Sequence, residues 1–553
     1  MTQPRKKRIF ICNDASYIHS GYGIYGKELL SRLHNSGKYE VAELGCYTSV
    51  GHPAIKDIPW KFYPNAVAFG DPRINEFQSQ SLNQFGQWRF NQAILDFKPD
   101  IVFDIRDYWM SSYQEISPYR AYFHWILMPT VDSAPQKLEW LYTFANADLV
   151  VPYTDWARQS LLKAAPTQIN LFPKIANAGI NATDFFPLLD KKAHQLKAFG
   201  KEVSIIGLVM RNQKRKLLPD IMIAYKMYLD KLLDTNQLEL YSKTFLYLHT
   251  SYPEETGWDI PSLLLEYNLL DKVYFTYYCA SCLGFSPCKF RGATTICSHC
   301  GKNSARMSGV IQGVDTTQLN LVYNLFDIFI QYAICEGFGM PQIEAAACGL
   351  QIASVDYSAM SEVTESVDGI KIPVEKTFRE MESNAIRVYP DIKATADIIY
   401  EYLVNTTEIE KAQKSIIIRR KCLDKYTWDD VYKVWDECFD TIDIKNKLPW
   451  DYPEKSPTYQ SSVSTDLGLN PREFVESICL KIINEPLLLK CAPIQKMIKE
   501  LSEGISTGSG FITAMHHEKA LKSLETYLKN KVSGEILRLK PETPDTKKED
   551  FLL

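Results

Sequence analysis

No run of apolar residues in the 553-residue chain approaches the 18 or so that a membrane-spanning helix needs. The start, Met1 to Arg8, is polar and basic with no apolar core after it, so neither a spanning helix nor a secretory signal is expected, and a cytosolic compartment follows. A strong net charge is lacking too. The 62 Lys and Arg against 66 Asp and Glu leave −4, which excludes a global field toward nucleic acid or membrane and makes any such attraction local. Nor do the 13 cysteines read as a disulfide framework. Five of them lie between Cys279 and Cys300 and the rest are scattered, the pattern of a reduced chain with one metal site. What is present is a 46% hydrophobic composition, ample for two or three domains with sizeable cores.

The chain is organised around Cys335 to Gly349, Cys-Glu-Gly-Phe-Gly-Met-Pro-Gln-Ile-Glu-Ala-Ala-Ala-Cys-Gly. The apolar run Leu325 to Ile334 before it predicts a buried strand, and the alanines after it predict a helix. Pro341 suits the first helical position, and Gly349 suits the place just past the end. Gly337 and Gly339 let the backbone approach a ligand where the free N–H groups and the dipole of the helix start make an anion site. Glu344 is expected within the first turn and Glu336 at the strand end. Two carboxylates flanking a phosphate nest suit a sugar nucleotide, whose hydroxyls want acceptors while its phosphates want donors. The spacing alone equally fits a glycine-hinged turn with two solvated acids.

With Gly-Phe-Gly-Met-Pro between the acids, the stretch resembles the retaining family-4 glycosyltransferases of the GT-B fold, which carry Glu, seven residues, Glu in this setting. The resemblance implies two Rossmann-like domains facing across a cleft, with Glu336 toward the donor sugar and Glu344 on the nucleotide ribose. It places Gly337, Phe338, Gly339, Met340 and Pro341 against the donor. The family's Arg and Lys, five positions apart, fall on Arg211 and Lys216, at the mouth of a strand predicted over Val203 to Met210. There they would neutralise the leaving diphosphate without a metal. An exposed basic turn is the plainer reading of that run.

Near the start, a strand at Ile9 to Cys12 leads into Gly21, Gly23 and Gly26. These match the dinucleotide fingerprint without an acid placed to hold a ribose. The resemblance assigns Gly21 and Gly23 to a loop over the donor phosphates; a tight turn is the alternative. Tyr122 to Leu127 reads as a strand with His124 as a core histidine. It opens into Met128 to Ser133, where a related subgroup has Pro-x-Asp, and this makes Asp132 a candidate acceptor-side catalytic residue or a plain turn aspartate. Residues 177–187 look like the family's segment before the interdomain linker, departing from it at Ala178 and Asn181.

Cys279-x-x-Cys282 and Cys297-x-x-Cys300 are two knuckles, 14 residues apart, that supply the S₄ set preferred by structural zinc. Cys288 and His299 are candidate substitutes. From 277 to 308 there are Lys289, Arg291, Lys302 and Arg306 and no acid, a local +4 that suits phosphate backbones or a subunit rim. The expected organisation is an acceptor domain at 1–190 and a donor domain at 191–446, the latter with a zinc ribbon at 277–308 and a closing helix at about 425–446 carrying Trp428 and Trp435. A linker and helical extension at 447–553 follow, with helices near Pro471–Asn484, Ala492–Glu503 and Thr513–Lys531. The reading is a retaining glycosyltransferase using a nucleoside diphosphate sugar, with a hydroxymethylated base in DNA as candidate acceptor. Its rivals are a transferase acting on a polysaccharide or lipid-linked glycan, and a non-enzymatic nucleic-acid-binding protein on the same scaffold.

Overall fold

The structure, a computed structural model, describes residues 5–444 apart from 118, 166, 310 and 311, and beyond them 471–482, 490, 492–507, 529 and 533. The first sheet has six parallel strands: β1 (Lys7–Asp14), β2 (Tyr39–Ser49), β3 (Lys61–Ala66), β4 (Ile101–Asp104), β5 (His124–Leu127) and β6 (Leu149–Val150), in the order β3-β2-β1-β4-β5-β6. β1 is central because Ile9, Phe10, Ile11 and Cys12 are apolar on both faces and wholly buried, as a parallel strand with helices on either side requires.

The second sheet repeats that order. Its parallel part is β9 (Val273–Cys279), β8 (Thr244–His249), β7 (Ser204–Val209), β13 (Ile328–Gln331), β14 (Gln351–Val355) and β15 (Ile370–Ile372). In both sheets the order reverses beside the first strand, at β1/β4 and at β7/β13, and ligands sit outside the carboxyl ends of the strands at such points. The second sheet has two additions. β10 (Phe285–Lys289) and β12 (Ala305–Met307) pair antiparallel with β9, and β11 (Thr294–Thr295) pairs with β12. An antiparallel hairpin, β16 (Val374–Arg379) and β17 (Ile386–Pro390), follows β15.

After the second sheet the chain returns to the first. The Trp428–Asp440 helix packs there, with the Trp435 ring 5.1 Å from Phe103 and its indole N–H donating to the Tyr25 hydroxyl at 2.8 Å. The basic start is tied to the same domain: Arg5 forks onto Asp100, Arg8 pairs with Glu40, and Lys7 donates to the Phe439 carbonyl. Three of the four basic side chains from Arg5 to Arg8 are therefore spent on internal partners.

Three local expectations change. The strand before the glutamates is shorter than Leu325 to Ile334, covering Ile328–Gln331, because Leu325 and Phe326 end the preceding turn. Gly21, Gly23 and Gly26 lie inside a helix, Gly21–Asn35, capped by the Ser20 hydroxyl, and not in a loop ahead of one. His124 opens β5, half-buried, with its ring nitrogen 2.7 Å from the Asp443 carbonyl. At the far end, the Pro471–Ile482 and Ala492–Thr507 helices bury Ile478, Cys479, Ile494 and Ile498. The linker and most of the third expected helix lie outside the described residues. No helix among the described residues is long and apolar enough to cross a membrane.

Candidate active site at the carboxyl ends of two facing sheets

β13 ends at Gln331, and the chain then runs through Glu336 to Gly339 into the Met340–Ala347 helix. Gly339 is the cap, in the left-handed region at φ +87°. The helix begins one residue earlier than the proline suggested, so Pro341 takes its second position. Glu344 consequently falls beyond the first turn, which holds no acid. It is buried, accepts the Tyr323 hydroxyl at 2.6 Å, and is pushed up to about 7 by burial against the opposing pull of that hydroxyl.

Glu336 is held from three directions. Its Oε1 pairs with Arg215 at 2.7 Å, with Lys216, and with the Gln331 side-chain amide at 3.0 Å. Burial would raise this carboxyl, but the two cations outweigh burial and pull it down to about 2. Its backbone is pinned as well, donating to and accepting from the Ser358 hydroxyl at 3.2 and 3.1 Å. Lys216 is buried, and that burial lowers its ammonium despite Glu336.

Arg211 stands apart from this cluster. It is half-exposed at the rim and reaches Glu254 at 3.3 Å. The loop between is braced by Trp258: Asn212 bonds the Trp258 backbone at 3.0 and 2.8 Å, and the Trp258 indole donates to the Gln213 carbonyl at 3.1 Å. The basic run thus divides into a rim cation, Arg211, and a pair on Glu336, the partly exposed Arg215 and the buried Lys216. Family spacing pointed to the first and last of these and passed over Arg215.

On the facing domain, Asp132 is engaged. Arg387, from β17, pairs with its Oδ1 at 2.8 Å, and the Cys335 thiol donates to its Oδ2 at 3.2 Å. Arg387 also reaches Glu380 at 2.9 Å. Sequence reasoning did not single out Asp107, which stands just before the Tyr108–Glu115 helix after β4 without its side chain bonding the helix start. Burial and the nearby Asp132 raise Asp107 to about 6, against the pull of Arg215 and of the Tyr22 and Thr130 hydroxyls. Its one sequence signal is an acid just past a strand end. Arg387 and Cys335 carried none, since only tertiary folding brings them to Asp132.

The two domains meet closely here. A Cβ on Gly337 would lie 2.1 Å from the Thr130 methyl, so only glycine fits. Phe338 is buried and stacks on Tyr153 of the first domain at 5.0 Å. Gly21, at the start of the first glycine-bearing helix, faces the Met340 sulfur across the cleft, leaving room for a Cβ at 3.6 Å. The starts of the two helices therefore lie close to one another where the domains meet. Gly23 has a different task, because a Cβ there would meet the Ile18 carbonyl at 2.3 Å. It is buried and allows the start of its helix to pack closely on the Ile18 and Ala15 carbonyls.

The four expected zinc ligands come together. The Sγ atoms of Cys279, Cys282, Cys297 and Cys300 all lie within 4.8 Å of one another, with the Cys279–Cys300 and Cys282–Cys297 pairs at 3.6 and 3.7 Å. A tetrahedron with Zn–S of about 2.3 Å has edges of roughly 3.8 Å, so the donor set fits zinc with no position left open. Cys288 lies on β10 outside the cluster, and a His299 ring nitrogen is 3.1 Å from the Phe285 carbonyl, so neither replaces a ligand.

No protein-family model and no curated protein matches the chain. Solved structures do resemble it. Sucrose-phosphate synthase from Thermosynechococcus elongatus superposes with a TM-score of 0.55 at 16% identity, over 79% of this chain and 99% of that one. HepE of Anabaena in complex with UDP-glucose gives 0.54 at 12%, over 79% and 100%. A glycosyltransferase from Rickettsia africae gives 0.53 at 14%, over 80% and 100%. With its two parallel sheets of matching strand order facing across a cleft, the chain has the GT-B fold of these structures.

Proposed function

We propose that the protein is a glycosyltransferase that moves a sugar from a nucleoside diphosphate sugar to a hydroxyl group, with residues 1–190 holding the acceptor and 191–446 the donor. The observation that carries this reading is the buried Glu336 carboxylate clasped by Arg215 and Lys216 beside two helix starts. A buried acid held ionised by two cations is a costly arrangement for a merely structural turn. It becomes useful when an anion shares the cations and a sugar hydroxyl takes the freed carboxylate. Crystals of HepE hold UDP-glucose, and a uridine donor is the first to test.

In this reading Arg211, Arg215 and Lys216 neutralise the departing diphosphate, aided by Gly21 and the Gly337 to Pro341 segment. Glu336 orients the sugar and Glu344 the ribose. The bond between the anomeric carbon and the phosphate oxygen breaks while the acceptor oxygen bonds the same face. The acceptor proton passes to the departing phosphate oxygen, so configuration is retained and neither a protein nucleophile nor a metal is required. On the acceptor side, Asp107, beside the Tyr22 and Thr130 hydroxyls, is the acid to meet an incoming hydroxyl, while Asp132, fixed by Arg387, shapes the wall.

The proposed acceptor is a hydroxymethylated base in DNA, in a cytosolic setting. With the basic N-terminus spent internally, support for DNA comes from the ribbon. Lys289 pairs with Asp271 there, but Arg291, Lys302 and Arg306 are exposed without an ion pair among the described residues. Zinc would hold that surface in shape. The test is transfer of labelled sugar, from a panel of nucleoside diphosphate sugars, to hydroxymethylated duplex, unmodified duplex and glycans at several salt concentrations. Incorporation that is confined to the modified duplex and declines with salt is the expected result. Transfer to glycans alone, indifferent to salt, would favour the polysaccharide reading, and no donor turnover under any condition would favour the non-enzymatic one.

A further inference from the structure

The Asp155–Ala164 helix of the first domain begins against the second domain, and its first turn leaves backbone N–H groups that the helix itself cannot use. That of Ala157 donates to the Thr154 hydroxyl at 3.1 Å. Those of Asp155 and Trp156 donate to Glu362 of the second domain at 3.2 and 2.8 Å, one to each carboxylate oxygen. A carboxylate at a helix start is favoured by the dipole as well as by the bonds it accepts, so Glu362 caps a helix that belongs to the other domain. Tyr357 lies at the same start, its ring 6.0 Å from that of Trp156.

Glu362 stands on the Ser358–Ser366 helix, and the first residue of that helix holds Glu336. The Ser358 hydroxyl accepts from the Glu336 N–H at 3.2 Å and donates to the Glu336 carbonyl at 3.1 Å, so a single hydroxyl fixes both backbone groups of the acid that Arg215 and Lys216 clasp. To do so the buried Ser358 adopts φ +52°, a left-handed conformation that residues with a Cβ seldom take. Nearby the chain meets the same demand with glycine, at Gly339 and Gly349; serine at 358 keeps the strain and gains the hydroxyl. Such strain persists where the surroundings impose it, and it concentrates at functional sites. Four residues of helix rise about 6 Å, so the cap on the first domain and the clasp on Glu336 are the two ends of one helical turn.

We propose that Glu362 is a positioning residue for the transfer. By gripping the helix start of the first domain it fixes the Ser358–Glu362 turn, and through the Ser358 hydroxyl it fixes the backbone from which Glu336 reaches the donor sugar. The assignment rests on the glycosyltransferase reading above and adds a link to it: the sugar is aimed for transfer when the acceptor's domain is seated against the donor's.

The test compares full-length wild type with Glu362→Ala, Glu362→Gln, Ser358→Ala and the Glu362→Ala/Ser358→Ala double variant. Two measurements are made: steady-state transfer from a panel of nucleoside diphosphate sugars to duplex and glycan acceptors, and hydrogen exchange read separately over residues 155–160 and 332–340. Glu365→Ala, exposed on the same helix and paired with Lys371, is the control and should match wild type in both. Glu362→Ala should lower kcat by about 10- to 100-fold, the range of a misplacement passed in from outside the chemistry. Donor KM and the UDP-induced thermal shift should stay close to wild type, because the diphosphate is held by other residues. Exchange should quicken at 332–340 as well as at 155–160, and Glu362→Gln, with one oxygen still able to accept, should recover part of both losses. The double variant should be no slower than Ser358→Ala alone, since residues that act in one line do not add. Exchange that quickens only at 155–160, or a double variant whose losses multiply, overturns the proposal. If wild type transfers sugar and Glu362→Ala matches it, the link falls and the transferase reading stands. If exchange quickens at both segments yet wild type consumes no nucleotide sugar, the link stands and the transferase reading falls.

Discussion

Glu336 stays ionised inside the fold because two cations reach one of its oxygens, and each cation is in turn tolerable there because of the acid. Removing one member therefore reveals how the others are used. Lys216→Ala should slow turnover by about 10- to 100-fold, the worth of one charge-assisted bond made mainly in the transition state, with substrate binding less affected; steady-state kinetics separates the two. Asp107 gives a second, independent prediction. Raised to about 6, it is protonated below that value and ionised above it, so a rate that depends on its carboxylate climbs as pH passes through about 6. Asp107→Asn should flatten that limb of the pH–rate profile while leaving the protein folded.

At the scale of elements, what was legible in the sequence was punctuation. Glycines and a proline around Glu336 fixed a strand-to-helix turn, and the paired Cys-x-x-Cys spacing fixed a metal knuckle, because each restricts the backbone or the ligand geometry locally. Less legible was why a glycine was there. Gly23 looked like part of a phosphate loop and instead packs a helix onto the Ile18 carbonyl. Gly23→Ala should lower stability by roughly 1–3 kcal/mol, as overpacking does, visible as a reduced melting temperature. Asp107, Arg215 and Arg387 escaped because their meaning is tertiary: nothing near Arg387 in the chain announces Asp132. For the ribbon, metal analysis should find one zinc per chain. Cys282→Ser or a strong chelator should abolish it and speed hydrogen exchange across β10 to β12 while the first sheet keeps its protection.

On the scale of the whole molecule, the two domains are stitched at several points. Glu362 of the second accepts from the backbone N–H groups of Asp155 and Trp156 in the first at 3.2 and 2.8 Å, and the Ile386 N–H donates to the Ala134 carbonyl at 2.9 Å. Arg387→Ala should loosen this seam, raising KM for the acceptor more than for the donor. Stability should also respond to pH in a definite direction. Glu43 and Glu344, each raised by burial from 4.5 to about 7, keep protons in the folded state that the unfolded chain releases above about 4.5. Stability is thus favoured at low pH and declines as pH rises toward 7, by about 1–3 kcal/mol for each group. Glu344→Gln should blunt that decline in melting temperature between pH 5 and 8.

β9 pairs with β8 within the second sheet and ends on Cys279, the first of the four thiolates. One continuous extended segment therefore serves as both rib of the domain and stem of the ribbon. The ribbon has no hinge at that joint: tilting it means bending a strand that is hydrogen-bonded on both sides, and any pull it receives is felt as traction on the sheet that carries Lys216 and Glu336.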